Sequence, residues 1–94
     1  MRKYEIVYII DASIGEDEVK ALIEKFTAFT EQHAQIEKIE EWGKKRFAYP
    51  ILKKSEGFYV LMNVLASPEF PAEIERQFKI TEGTLKYLVI NKED

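Results

Sequence analysis

The chain has 94 residues and a formal net charge of −3, with 46% hydrophobic and 33% charged residues. That is enough to close one hydrophobic core and too little for two, in a composition that is globular rather than disordered or fibrous. There is no cysteine and His33 is the sole histidine, which removes disulfides, thiolate nucleophiles and thiolate metal sites. The first residues, Met1-Arg-Lys-Tyr-Glu5, lack the apolar core of a signal peptide, and no apolar run approaches the about 18 residues a membrane helix needs. The expectation is a soluble cytoplasmic protein of a single domain spanning residues 1–94.

Residues 4–10 are β-branched and aromatic and are apolar on both alternating sets, Tyr4, Ile6, Tyr8 and Ile10 on one and Val7 and Ile9 on the other. A strand buried on both sides reads this way, so it belongs at the centre of a sheet. Ser13-Ile-Gly-Glu16 has the spacing of a capping box, and Val19, Leu22, Ile23, Phe26 and Phe29 or Thr30 recur at helical spacing, which predicts a helix over about 16–32. His33 at its end is expected to interact with the last carbonyls rather than with a metal.

Residues 34–52 form a second strand in which Ile36 and Ile39 break the two-residue period and Phe47, Tyr49 and Ile51 restore it; a bulge near Gly43 accounts for the slip. Pro50 cannot donate a ladder hydrogen bond, which places this strand at a sheet edge. Lys53-Lys-Ser-Glu-Gly57 is the expected hairpin turn, followed by a second central strand over 58–65. Pro71 suits the first turn of a short helix carrying Ile74 and Phe78 on one stripe. Thr81-Glu-Gly-Thr84 then turns the chain into a last strand over 85–90, and Asn91 to Asp94 reads as a frayed polar end.

The order βαββαβ predicts an α+β fold of the ferredoxin-like kind, a four-stranded antiparallel sheet with both helices on one face. If Ile6, Tyr8, Val60, Met62, Tyr87 and Val89 face the helices, Val7, Ile9, Tyr59, Leu61, Leu65, Leu88 and Ile90 lie on the other face, with no third layer to cover them. An uncovered apolar patch of that extent marks an interaction surface.

Five of the chain's 14 basic residues, Lys44, Lys45, Arg46, Lys53 and Lys54, fall within residues 42–54, interleaved with Trp42, Phe47 and Tyr49. Arg2, Lys3 and Lys86 lie on other strands, and most of the acid is expected on the helices, so the sheet and its loops would be positive. That pattern points to phosphates and to salt-dependent, largely sequence-blind binding of nucleic acid. Catalytic chemistry is missing: the four glycines are isolated and make no phosphate-cradling loop, and the adjacent Glu40 and Glu41 point to opposite faces of a strand and make a poor acid/base pair. They read as edge charges that prevent stray strand pairing. A small acyl-phosphate hydrolase of the same fold would need an arginine in the loop after the first strand, and Asp11-Ala-Ser-Ile-Gly15 has none. An RNA-recognition motif shares the βαββαβ order and stacks bases on its sheet, but Gly57-Phe-Tyr-Val60 only partly matches its third-strand signature, and alternation turns Phe58 toward the helices. A free-standing module of that kind is the alternative reading.

Met1-Arg-Lys-Tyr-Glu-Ile6, Glu40-Glu-Trp-Gly-Lys-Lys-Arg-Phe-Ala-Tyr-Pro-Ile51 and Gly57-Phe-Tyr-Val-Leu-Met-Asn-Val64 together resemble the bacterial small-ribosomal-subunit protein six family over essentially the whole chain. The resemblance implies a structural ribosomal component without catalysis or cofactor, which binds 16S ribosomal RNA in the central domain, or platform, as a heterodimer with the eighteenth protein of the same subunit. The residues it implies for RNA are Arg2, Lys3, Lys44, Lys45, Arg46, Lys53, Lys54 and Lys86. Those expected at the protein partner are Glu40, Glu41, Trp42, Tyr59, Leu61 and Leu88, with Lys45 and Arg46 at the same edge. Some members carry a long acidic carboxyl tail, and no tail contact is carried over to Asn91-Lys-Glu-Asp94.

Overall fold

In a computed structural model, which describes residues 1–92, the chain runs β1 (Arg2–Asp11), α1 (Glu16–His33), β2 (Ala34–Ile51), β3 (Lys54–Ala66), α2 (Phe70–Ile80) and β4 (Thr84–Asn91). The strands form one antiparallel sheet in the order β2-β3-β1-β4. β1 and β3, apolar on both alternating sets, take the centre, and Pro50-bearing β2 takes an edge, as their patterns predict.

Register sets the core. Tyr8 stands opposite Val60 on one side and Tyr87 on the other, and Ile6 opposite Met62 and Val89. Those side chains meet Val19, Ile23 and Phe26 of α1 and Phe70, Ile74 and Phe78 of α2 in a single cluster. Tyr8 packs edge-on against Phe26 at 5.2 Å between ring centres and lies 4.9 Å from Phe78. Both helices therefore cover the same face of the sheet.

β2 departs from regular pairing three times. The slip between Glu41 and Gly43 is the expected bulge, with Gly43 at φ +83°, where a side chain would be strained. An unforeseen slip between Ile36 and Lys38 leaves Ile36 opposite Val64 and Ile39 opposite Met62, so both stay on the helix side despite their three-residue spacing. The third, between Arg46 and Ile51, frees residues 47–50 from the ladder, so Pro50 interrupts no hydrogen bond there.

Several local expectations need correction. Ser13 does not cap α1: it sits in a 3-10 turn (Ala12–Ile14) and donates to Asp11 from its backbone N at 2.9 Å and from Oγ at 2.7 Å, while Gly15 holds the N-cap. The β2–β3 turn is Leu52-Lys53 rather than 53–57, both residues having left-handed backbones, at φ +49° and +65°, so β3 already begins at Lys54. The two positive φ values give the twist that matches a two-residue hairpin, without the Asn-Gly that ordinarily supplies it. His33 does not bond the α1 carbonyls; its Nδ1 lies 3.8 Å from Glu73 and its ring 4.6 Å from that of Phe29. Asn91 is not frayed but pairs with Tyr4, and Lys92 N donates to Lys3 O at 2.9 Å; Glu93 and Asp94 lie outside the described residues. Nor do the helices carry most of the acid: among the described residues Glu5, Asp11, Glu37, Glu40, Glu41 and Glu56 stand on strands and Glu69 and Glu82 in turns.

Candidate nucleic-acid interface

The face away from the helices is only partly open. Leu88 at 56% exposure and the exposed Ile90 stand on it, and Val7, Tyr59 and Leu65 are half-buried, as alternation predicts. Ile9 and Leu61, expected uncovered, are buried. For Ile9 the cause is β2: where the ladder lapses, Phe47 folds over Gly57, whose missing Cβ leaves room against both Phe47 and Ile9. Ile51 follows, lining with Val7, Ile9, Tyr59, Lys86 and Leu88 a shallow depression on this face. Leu61 lies between Val7 and Glu40 and backs the surface rather than forming it.

Trp42 is the extra residue of the Glu41/Gly43 bulge. It does not pack beneath the bulge; it stays 45% exposed and stacks over Tyr59, rings 6.5 Å apart and inclined by 19°. Phe47 approaches the same tyrosine edge-on at 6.1 Å. Tyr59 is therefore flanked by two rings, which leaves little of it for a base to stack on. Phe58, as expected, turns to the helix side. Glu40 stands opposite Leu61 and Glu41 opposite Val60, so the pair faces opposite ways, and Lys38 Nζ lies 3.7 Å from Glu40.

The cations separate into two groups. At the hairpin end, Lys44, Lys53 and Lys54 line one cleft with Asp11, Ser13, Ser55 and Glu56. Lys45, opposite Gly57, and Lys86, opposite Ile9, take open-face positions, while Arg46 opposes Glu56. Lys54 is already engaged: its Nζ lies 3.3 Å from Asp11 Oδ2 and donates to Ser13 Oγ at 3.3 Å. Burial alone would raise the Asp11 carboxyl, but hydrogen bonds from Ser13 and the Lys54 ammonium outweigh it and hold the group below the usual carboxylate range.

Arg2 and Lys3 lie at the opposite end. Antiparallel pairing sets Asp11, not Lys3, beside Gly57, and eight residues of strand put Lys3 about 27 Å from that end. There Lys3 shares a depression with Lys38, Lys92, Tyr4, Glu37 and Asn63. Sequence reasoning missed Lys38 and Lys92: Lys38 takes its place because of the Glu37 bulge, and Lys92 because β4 continues one residue further than its apolar run. Among the described residues, no group of three or more metal-ligating side chains converges, and no helix is long and apolar enough to cross a membrane.

Comparison with known proteins agrees with this architecture. A family model described as ribosomal protein S6 matches residues 3–91. The small ribosomal subunit protein bS6 of Caldanaerobacter subterraneus subsp. tengcongensis is 47% identical, with all of both chains covered, and that of Clostridium novyi is 45% identical over 99% of each. The crystal structure of 30S ribosomal protein S6 from Thermotoga maritima superimposes with a TM-score of 0.92 at 27% identity, over 97% of this chain and 87% of that one. A full-length match in sequence and in fold means that the chain belongs to the ribosomal protein S6 family and is a structural, non-enzymatic component of the small ribosomal subunit in the cytoplasm.

Proposed function

We propose that the chain binds 16S ribosomal RNA in the central domain of the small subunit as a heterodimer with the eighteenth protein of that subunit. RNA meets the cations Arg2, Lys3, Lys44, Lys45, Arg46, Lys53 and Lys86, with Lys54 holding the hairpin in place. The protein partner meets the β2 edge and open face at Glu40, Glu41, Trp42, Tyr59 and Leu88, with Leu61 beneath. The observation that carries this reading is the adjacency of two unlike surfaces. A half-open apolar sheet face, bordered by an edge strand with one side unpaired, runs directly into a hairpin carrying five cations within residues 42–54. The first suits a protein, which buries apolar area and can pair with an edge; the second suits phosphates, which need charge and no pocket.

In this arrangement neither surface alone is large, and the two proteins together present one continuous positive surface to a folded RNA junction. Base stacking in the manner of an RNA-recognition motif is disfavoured because Tyr59 already faces Trp42 and Phe47. Titration of a central-domain fragment of 16S ribosomal RNA with this protein alone, and again with the partner present, tests the reading. Affinity is expected to rise at least about tenfold with the partner, a coupling of about 1.4 kcal/mol; equal affinities overturn the cooperative mechanism.

A further inference from the structure

The helix side carries a second surface of opposite charge. β2 is an edge strand that α1 does not fully cover, so Ile39 remains exposed and a groove of about 500 Å³ opens between the two. Val19 and Ile23 of α1 and Phe58 of β3 floor it. Glu16, Lys20 and Glu24, each four residues after the last, line up along the helical lip, and Glu41 stands on the strand lip. Three carboxylates thus surround an apolar trough with one ammonium among them. Among the described residues no ion pair engages Glu16, Lys20, Glu24 or Glu41, so the rim keeps an excess of carboxylate, with Lys44, opposite Phe58, as the next cation along the strand lip. Glu41 also shares a cross-strand row with Tyr8, whose hydroxyl is buried without a hydrogen-bond partner among the described residues; burial first, and then the Glu41 charge, hold that phenol above its ordinary value.

An apolar floor with a carboxylate rim selects against RNA, whose phosphates the rim repels, and for a side chain that is aliphatic along its stem and cationic at its tip. Arginine and lysine have that form. We propose that this groove seats an arginine- or lysine-bearing segment of a neighbouring protein, its stem and an adjacent apolar residue against Val19, Ile23 and Phe58 and its cation among Glu16, Glu24 and Glu41. The groove shares only Glu41 with the surface assigned above to the protein partner, and the inference does not depend on that reading. The protein would then hold RNA on its hairpin and a basic polypeptide on the far side of the same edge strand.

The test is a titration of the 15N-labelled full chain with the peptide acetyl-Arg-Leu-Arg-Leu-Arg-Leu-amide, followed by amide shifts. The shifts are expected to cluster at residues 16–24, 41 and 58 and to weaken with added salt. The double variant Glu24→Gln/Glu41→Gln should weaken binding about tenfold, as two exposed ion pairs of ordinary strength imply, and Lys20→Glu should tighten it. Equal binding of the peptide with citrulline in place of arginine, or shifts centred on Val7 and Leu88 instead, would overturn the proposal. So would the same shifts on raising the protein concentration without peptide, which assign the groove to a second copy, or on adding oligouridylate, which assign it to RNA. None of these outcomes bears on the cooperative RNA titration, so the two readings fail separately.

Discussion

Lys54 Nζ lies 3.3 Å from Asp11 Oδ2 and ties the tip of the β2–β3 ribbon to the end of β1. Asp11 is buried and also accepts two hydrogen bonds from Ser13, so its carboxylate organises three segments at once. Asp11→Asn should lower stability by about 1.5–3 kcal/mol in urea unfolding at neutral pH, the usual worth of a hydrogen bond to a charged group. The pH dependence has a definite sign. A carboxyl held below its unfolded value, about 3.9, contributes stability that is fully present above that value and is lost as pH falls through the folded one. Wild type should therefore lose stability more steeply than Asp11→Asn below about pH 4; parallel acid limbs would show that the carboxylate does not act this way.

The same contact ranks the hairpin cations. A lysine whose charge is matched by a buried carboxylate releases fewer counterions from RNA than one that faces solvent. Lys53→Met should reduce the slope of log affinity against log salt by about 1, and Lys54→Met by clearly less. Binding isotherms at several salt concentrations measure both slopes, and equal reductions would contradict a positioning role for Lys54.

Gly57 is required by close approach rather than by backbone conformation. A Cβ there meets Ile9 Cγ2 and the Phe47 ring, both of which cover the open face. Gly57→Ala should cost about 1–3 kcal/mol, in line with overpacking elsewhere, and expel Phe47 from its seat. Phe47→Ala in the Gly57→Ala background should cost less than Phe47→Ala alone, because the ring is already displaced. A double-mutant cycle reads this coupling directly.

Leu52 and Lys53 occupy left-handed backbone positions that neither side chain favours, and Leu52 is 72% exposed. Leu52→Asn/Lys53→Gly supplies the residues this two-residue turn prefers and should raise stability by about 1 kcal/mol. The same change removes a cation and should weaken RNA binding. Thermal unfolding and an RNA titration on one protein sample would display the exchange of stability for function at the hairpin tip.

That turn also shows where sequence reading stops. β1 and β3 were legible because strands buried on both faces have few alternatives, and α1 because Val19, Ile23 and Phe26, with Thr30 after them, mark a continuous buried stripe. The hairpin was misplaced because its turn residues carry no turn signal, whereas Gly57, which carries one, serves as a socket for Phe47. Ser13 offered a capping box, but the buried Asp11 beside it is the stronger acceptor and claims both Ser13 donors. The eight candidate cations read as one field in sequence. Antiparallel pairing divides them, because it sends Arg2 and Lys3 to the end of β1 farthest from the hairpin.

Tyr8 places a phenol at the centre of the core, fully buried, with no hydrogen-bond partner for its hydroxyl among the described residues. Its ring is well used, in contact with Phe26 and Phe78, so the cost lies in one oxygen. Tyr8→Phe keeps those contacts and should raise stability by about 1 kcal/mol at neutral pH, since the hydroxyl is hydrated in the unfolded chain and is desolvated without a partner only in the folded one. Alkaline conditions separate this cause from repacking. Burial, and then the charge of Glu41, hold the folded phenol well above its ordinary value, so above about pH 10 the unfolded chain loses a proton that the folded one keeps, and wild-type stability falls. Tyr8→Phe has no such group to ionise, and its advantage over wild type should widen with pH beyond that point. A constant or shrinking difference across the alkaline range would mean that the hydroxyl has a partner in solution.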